Sequence, residues 1–311
     1  MKRTQQIFAA LVGLTVLAGC QMKEEPVETL REEPVEKPAK VYTLTLQASK
    51  GTETKALSLD TSGEKDRLNA HWRTGEQVAV YLGGTLLGML SAEADANNAT
   101  KATLSGTFTT VAGVNQGSEL MLLFPRAEWD YTGQDGSVPD ETGPLATQYD
   151  YATATVTVAT VDTEYKIITT TSGANFENQQ SMYRFGFKEY VTEETIPIKG
   201  FTVRSENAHF VRRRFWSGSD WTEDYGSISV NVTSGTLSLP YASLRNTIVN
   251  PSAENDSYSF AVIGADDALY LGRKTIPSSV LTEQGKFISA KGVVVRQAIV
   301  PDNNSTTTEM W

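Results

Sequence analysis

Val41-Tyr42-Thr43-Leu44-Thr45-Leu46-Gln47-Ala48-Ser49 alternates strictly. Tyr42, Leu44, Leu46 and Ala48 fall on one side of an extended chain, and Val41, Thr43, Thr45 and Gln47 on the other. Side chains of a strand point to opposite faces with a period of two, so this stretch predicts a half-buried β-strand. The same signature recurs along the chain, and the pattern predicts further strands at 77–82, 101–109, 119–124, 153–160 and 164–170. In the second half it predicts them at 182–188, 196–204, 209–216, 227–232, 258–264, 269–275 and 286–300. Turn clusters punctuate the strands, among them Gly83-Gly84, Gly133-Gln134-Asp135-Gly136 and Ser172-Gly173. No helix of three turns is predicted and no internal repeat is evident. Many short, turn-bounded strands predict an all-β chain of sandwiches or barrels.

Composition agrees. The 311 residues are 40% hydrophobic and rich in Thr, Val, Ser, Tyr and Gly, a mixture suited to sheet. A formal net charge of -10 argues against nucleic acid or an anionic membrane as partner, since both require a basic footprint. Two histidines and a single cysteine leave little material for a zinc site or a nucleophilic centre.

That cysteine lies at the end of a signal-peptide pattern. Met1-Lys2-Arg3 is a basic start, 7–18 is almost wholly apolar, and Leu17-Ala18-Gly19-Cys20 closes the run. The run is shorter than the ~20 residues a membrane-spanning helix needs, so it reads as a secretory signal over 1–19. Its ending resembles the bacterial lipobox, which implies cleavage between Gly19 and Cys20 and a lipid anchor (palmitate among its acyl chains) on Cys20. The alternative is an ordinary signal peptide with an incidental cysteine. Residues 20–40 repeat Glu-Glu-Pro-Val-Glu at 24–28 and 32–36. Like charges and prolines predict an extended, disordered tether that at ~3.1 Å per residue spans ~60 Å. Its first residues, Gln21-Met22-Lys23-Glu24-Glu25, resemble the acidic export signal of surface lipoproteins of Bacteroidetes; a merely solvated charge run is the other reading. About 290 residues remain after the signal, enough for two domains. The polar stretch 171–180 suggests a boundary, giving an N-terminal domain at 41–175 and a C-terminal domain at 176–311.

Several motifs in order carry a resemblance. Thr54-Lys55-Ala56 and His71-Trp72-Arg73-Thr74-Gly75-Glu76-Gln77-Val78-Ala79-Val80-Tyr81 resemble the opening of fimbrillin-like proteins of Bacteroidales. Leu123-Phe124-Pro125, 131–136, 149–154 and Gly285-Lys286-Phe287 are similar to the continuation of that family. The resemblance implies two transthyretin-like β-sandwich domains and a role as a type V pilus (fimbrium) subunit at the outer-membrane surface. It implies no cofactor and no catalytic residue. Its partners would be other pilus subunits, a trypsin-like processing protease, the membrane through the Cys20 lipid, and a host or glycan ligand if the subunit is an adhesive tip.

In such a subunit 41–49 is the strand removed by proteolysis. Cleavage after a basic residue places the candidates at Lys55-Ala56 and Arg67-Leu68, the latter in a predicted polar loop. The alternative is that neither is cut. The candidate donor strand is 291–300, with Val293, Val295 and Ile299 as its apolar residues, followed by the tail 306–311. The alternative is that this strand closes its own domain.

A rival reading is a surface glycan-binding lipoprotein of a nutrient-uptake system. Its candidates are Trp216, Trp221 and Tyr225, whose faces could stack on sugar rings; packing within a sandwich is the competing use. Arg212-Arg213-Arg214 reads either as an anionic-partner patch or as charges guarding a strand edge. Asp135, Asp140 and Glu141 match no calcium-loop spacing and read as turn chemistry.

Overall fold

A computed structural model describes residues 41–50, 58–60, 67–69, 71–109, 111–140, 144–248, 255–277 and 284–298. The first strands in chain order are β1 (Tyr42–Lys50), β2 (Ser58–Asp60), β3 (Arg67–Asn69), β4 (Gln77–Leu82), β5 (Thr85–Asp95), β6 (Asn98–Phe108), β7 (Glu119–Phe124) and β8 (Glu128–Asp130). A single helical turn, α1 (Pro144–Gln148), precedes β9 (Ala152–Asp162), β10 (Ile167–Thr170) and β11 (Ala174–Asn178). The chain then forms β12 (Ser181–Glu189), β13 (Ile198–Ser205), β14 (Ala208–Trp216), β15 (Trp221–Gly226), β16 (Ile228–Asn231), β17 (Tyr241–Leu244), β18 (Asn246–Ile248), β19 (Asn255–Gly264), β20 (Leu269–Pro277) and β21 (Phe287–Gln297). The all-β class predicted from the alternation is the one observed.

The first sheet runs β10-β1-β11-β9-β7-β4-β5-β6, and β1 also pairs with β6. That pairing joins the two ends of the order. The hydrogen-bonded ring passes from β6 through β5, β4, β7 and β9 to the interrupted β10–β11 stave, and β1 closes it. Gly83 makes the tight β4–β5 hairpin at φ 52°, a left-handed value that glycine adopts without steric cost. β4 and β7 differ from the half-buried pattern in being buried on consecutive residues. Val78, Val80, Leu120 and Leu122 face the core inside the ring, while Ala79 and Leu123 face a second core outside it. Strands covered on both faces lose the simple alternation.

The second sheet has the order β16-β13-β19-β20-β21-β12-β17. Its core is aromatic, with Phe185, Phe187, Phe201 and Phe260 in mutual edge and stacked contacts. A smaller sheet joins the halves: β14 pairs with β15 and β18, and also with β8, where Arg214 faces Trp129. The buried Gln134 side chain donates to the Tyr131 and Ser243 carbonyls at 2.8 Å each and accepts from the Ser243 amide at 2.6 Å. β11 lies in the polar stretch read as a boundary, and the chain changes sheet just after it, between Asn178 and Ser181.

Candidate functional site

β1 is held on both edges. Eight antiparallel partners, Tyr42 with Phe108 through Ser49 with Lys101, line one side. On the other, β10 pairs in parallel at Thr43 and Leu44, and β11 at Ala48, Ser49 and Lys50. The gap between β10 and β11 falls at Gly173, where an added Cβ would lie 2.7 Å from the Gln47 carbonyl oxygen. Only a residue without a side chain lets the backbone pass so close to β1. Tyr42, Leu44, Leu46 and Ala48 are all buried in the ring's core, as the alternation predicts.

Lys50 continues that face, and it is 2% exposed. Its Nζ donates to the His71 carbonyl at 3.1 Å and approaches Glu76 Oε2 at 3.4 Å and Asp150 Oδ2 at 3.5 Å. An ammonium has three donors, and these oxygens take all of them. The ring centroids of Trp72 and Phe124 stand 4.5 Å and 4.2 Å from the same nitrogen. Trp72 is itself fixed edge-on against Phe124 and Phe176 at 5.4 Å and 5.3 Å. Glu76 is held from behind by the Arg73 amide at 3.0 Å, and Asp150 by Gln180 at 3.5 Å. The socket thus draws on the turn before β4, the end of β7, the entry to β9, β11 and the link to β12. The alternation placed Lys50 on the buried face but did not identify it; a lysine in phase with four buried residues was the available signal.

Gly19, Cys20, Lys55, Ala56, Ile299 and the tail 306–311 lie outside the described residues. Arg67 and Leu68 open β3 and pair with Asp60 and Leu59 of β2, so the backbone there is a short hairpin strand where a loop was predicted. Val293 and Val295 are fully buried in β21, which pairs in parallel with β12 and antiparallel with β20.

Trp216 and Trp221 face each other across β14 and β15, 5.2 Å apart. Trp221 also packs on Trp129 at 4.3 Å and lies under the Arg214 guanidinium at 3.8 Å. Trp221, half-buried, is thereby in contact with Trp129, Trp216 and Arg214 of its own chain. Tyr225 is exposed, bonded to Glu223 at 2.7 Å and beside His209. Each arginine of the triplet is paired: Arg212 with Asp224 at 2.8 Å, Arg213 with Asp130 at 3.0 Å and Arg214 with Glu223 at 2.6 Å. Burial and the neighbouring Arg245 lower the Arg214 pKa to about 10, which leaves it cationic at neutral pH. Asp135 accepts from the Ser137 amide at 3.0 Å, the turn use expected of it. Among the described residues no three His, Cys, Asp or Glu side chains gather as a metal site.

No protein-family model matches the chain, and no curated protein matches it. Solved structures do align with it. A candidate cell adhesion protein of Bacteroides uniformis ATCC 8492 shares 12% identity over 82% of this chain and 96% of its own, with a TM-score of 0.41. A candidate cell adhesion protein of Bacteroides fragilis NCTC 9343 shares 11% over 86% and 100%, with a TM-score of 0.40. The shaft pilin SpaA of Lactobacillus rhamnosus GG shares 10% over 84% and 100%, with a TM-score of 0.31. At these scores and identities nothing about this chain's activity or assembly follows from the likeness.

Proposed function

We propose that the chain is a non-catalytic, lipid-anchored pilus subunit whose first strand holds the place of a strand from another subunit. In this reading a trypsin-like protease cuts after β1, at Lys55 or Arg67, β1 leaves, and a C-terminal strand of the next subunit takes its seat. The lipid on Cys20 carries the precursor to the outer-membrane surface. The scheme is that of a polymerising stalk subunit, whereas an anchor would keep its lipid and first strand and a tip would accept no further subunit.

The observation that supports it is that β1 closes the ring from the chain's beginning, paired on both edges by strands remote in sequence. Removing it leaves two rows of unpaired backbone groups and an apolar slot that had held Tyr42, Leu44, Leu46 and Ala48. Unpaired edges of this kind accept an added strand, which restores main-chain bonds and fills the pockets. Donation from one subunit to the next is head-to-tail and does not close on itself, so it grows a filament.

The test is the N-terminus of the protein recovered from outer membranes and shed filaments. A start at Ala56 or Leu68 supports the exchange. A start at lipidated Cys20 with 41–49 retained in filament material overturns it.

A further inference from the structure

The slot of β1 does not end as it begins. Four pockets are apolar, and the fifth is the Lys50 socket, with the Glu76 and Asp150 carboxylates, the His71 carbonyl and two aromatic walls around one cation. When β1 departs, both carboxylates and that carbonyl lose the Lys50 ammonium; Glu76 keeps the Arg73 guanidinium at 3.4 Å, and Asp150 is left with Gln180.

We propose that this socket selects and registers the incoming strand by charge. The strand it accepts, supplied by a second polypeptide, carries apolar or small side chains at alternate positions and a lysine or arginine in the place of Lys50. The proposal rests on the exchange reading above and specifies its partner.

Charge complementarity carries the choice. A strand ending on an apolar residue seals the buried Asp150 carboxylate without a counter-charge and leaves Glu76 only the Arg73 guanidinium, 3.4 Å away. Leaving a buried charge uncompensated costs several kcal/mol. A strand ending on an acid adds a third like charge. The aromatic walls favour a cation over either. Rejection here is by repulsion as well as by lost attraction, which is how a site discriminates between similar strands. The socket also sets register. A slip of one residue turns the whole apolar set outward, and a slip of two brings Ala48 or a residue beyond Lys50 to the carboxylates.

The chain's own C-terminal region illustrates the consequence. Read in the direction of β1, the face of Val293, Val295, Gln297 and Ile299 continues to Pro301, which brings no cation to the socket position. In that orientation and register, the socket refuses it.

The experiment uses the mature chain with Cys20→Ser for solubility and a specific protease site inserted after Gly51. Once nicked, β1 is held without a covalent bond. Fluorescent peptides of residues 41–50 are added, and their replacement of β1 is followed by native mass spectrometry and anisotropy. All charge changes are in the peptide, so the body of the protein folds unaltered. The native peptide and its Lys50→Arg form should exchange in. The Lys50→Met peptide should bind about 100-fold more weakly, and Lys50→Glu weaker still. A peptide of residues 293–301 should not compete in the orientation of β1. If the Met or Glu peptide enters within threefold of the native one, charge selection is wrong while strand exchange stands. If no peptide enters, the native one included, β1 is not exchangeable and both readings fall.

Discussion

Lys50 and Asp150, a hundred positions apart, meet in the interior with Nζ 3.5 Å from Oδ2. The contact ties the end of β1 to the entry of β9. Glu76 shares the same cation at 3.4 Å, so one ammonium stands between two carboxylates. The Lys199–Asp267 pair, at 2.6 Å but on the surface, is the natural control.

Lys50→Met is expected to cost about 3–5 kcal/mol, because it strands the buried Asp150 carboxylate and leaves Glu76 only the part-exposed Arg73 guanidinium. Asp150→Asn should cost about 1–2 kcal/mol, since Glu76 still compensates the lysine and only part of a charged hydrogen bond is lost. Lys199→Met should cost less than about 1 kcal/mol. Urea unfolding at neutral pH ranks the three. Equal losses at Lys50 and Lys199 would show that the socket contributes no more than a surface pair.

Gly173→Val should unseat β1 without unfolding the second sheet. Its Cβ would fall 2.7 Å from the Gln47 carbonyl oxygen, a backbone atom of β1 that can yield only if the strand shifts. The cost is about 1–3 kcal/mol, the usual range for overpacking. Hydrogen exchange should accelerate over 42–50 and stay slow in β12 and β13. Unchanged protection in β1 would contradict the close approach.

Trp221→Ala is expected to destabilise the protein by about 1–3 kcal/mol, because a half-buried tryptophan loses its contacts with Trp129, Trp216 and Arg214. Thermal and urea unfolding measure it. A variant of wild-type stability would return Trp221 to the pool of surface aromatics available to a sugar, and oligosaccharide binding would then become the informative assay.

Alkaline pH should weaken the fold from pH 10 upward. Burial pushes the Tyr151 phenol up to about 12, and Tyr149 likewise; Tyr131 is raised in the same direction. The fold holds these groups neutral, so their contribution is complete below about pH 10, where the unfolded chain also keeps its protons. It is lost as pH climbs from about 10 to about 12, at no more than about 1.4 kcal/mol per unit for each tyrosine. Unfolding midpoints at pH 9 and pH 11, with phenolate absorbance followed alongside, test this. Tyr151→Phe should flatten the decline; an equally steep one would assign the loss to other groups.

Legibility in the sequence followed burial geometry. Strands with one wet face, such as β1, matched their alternation, and β4 and β7 had their predicted limits even though both are doubly covered. β2, β3, β5, β8, β11, β15, β17 and β18 were not predicted, most of them only three to six residues long. β5 carries Gly88 among its apolar residues, and β11 alternates Ala174, Phe176 and Asn178 with polar neighbours inside a stretch that otherwise reads as linker. A Glu164 start for one strand also missed that the backbone turns at 163–166 before β10.

At the site, the buried face of β1 was legible and the socket was not. Period-two patterning is a property of neighbouring residues, and it determined by itself that this chain is all-β and that Tyr42, Leu44, Leu46 and Ala48 lie inside. Only the tertiary structure decided that β1 closes a ring, that Lys50 is caged between Glu76 and Asp150, and that Trp221 is spent on Trp129 and Arg214. Those contacts join segments distant in the chain. Their geometry depends on the register of every intervening strand, and no local pattern encodes that.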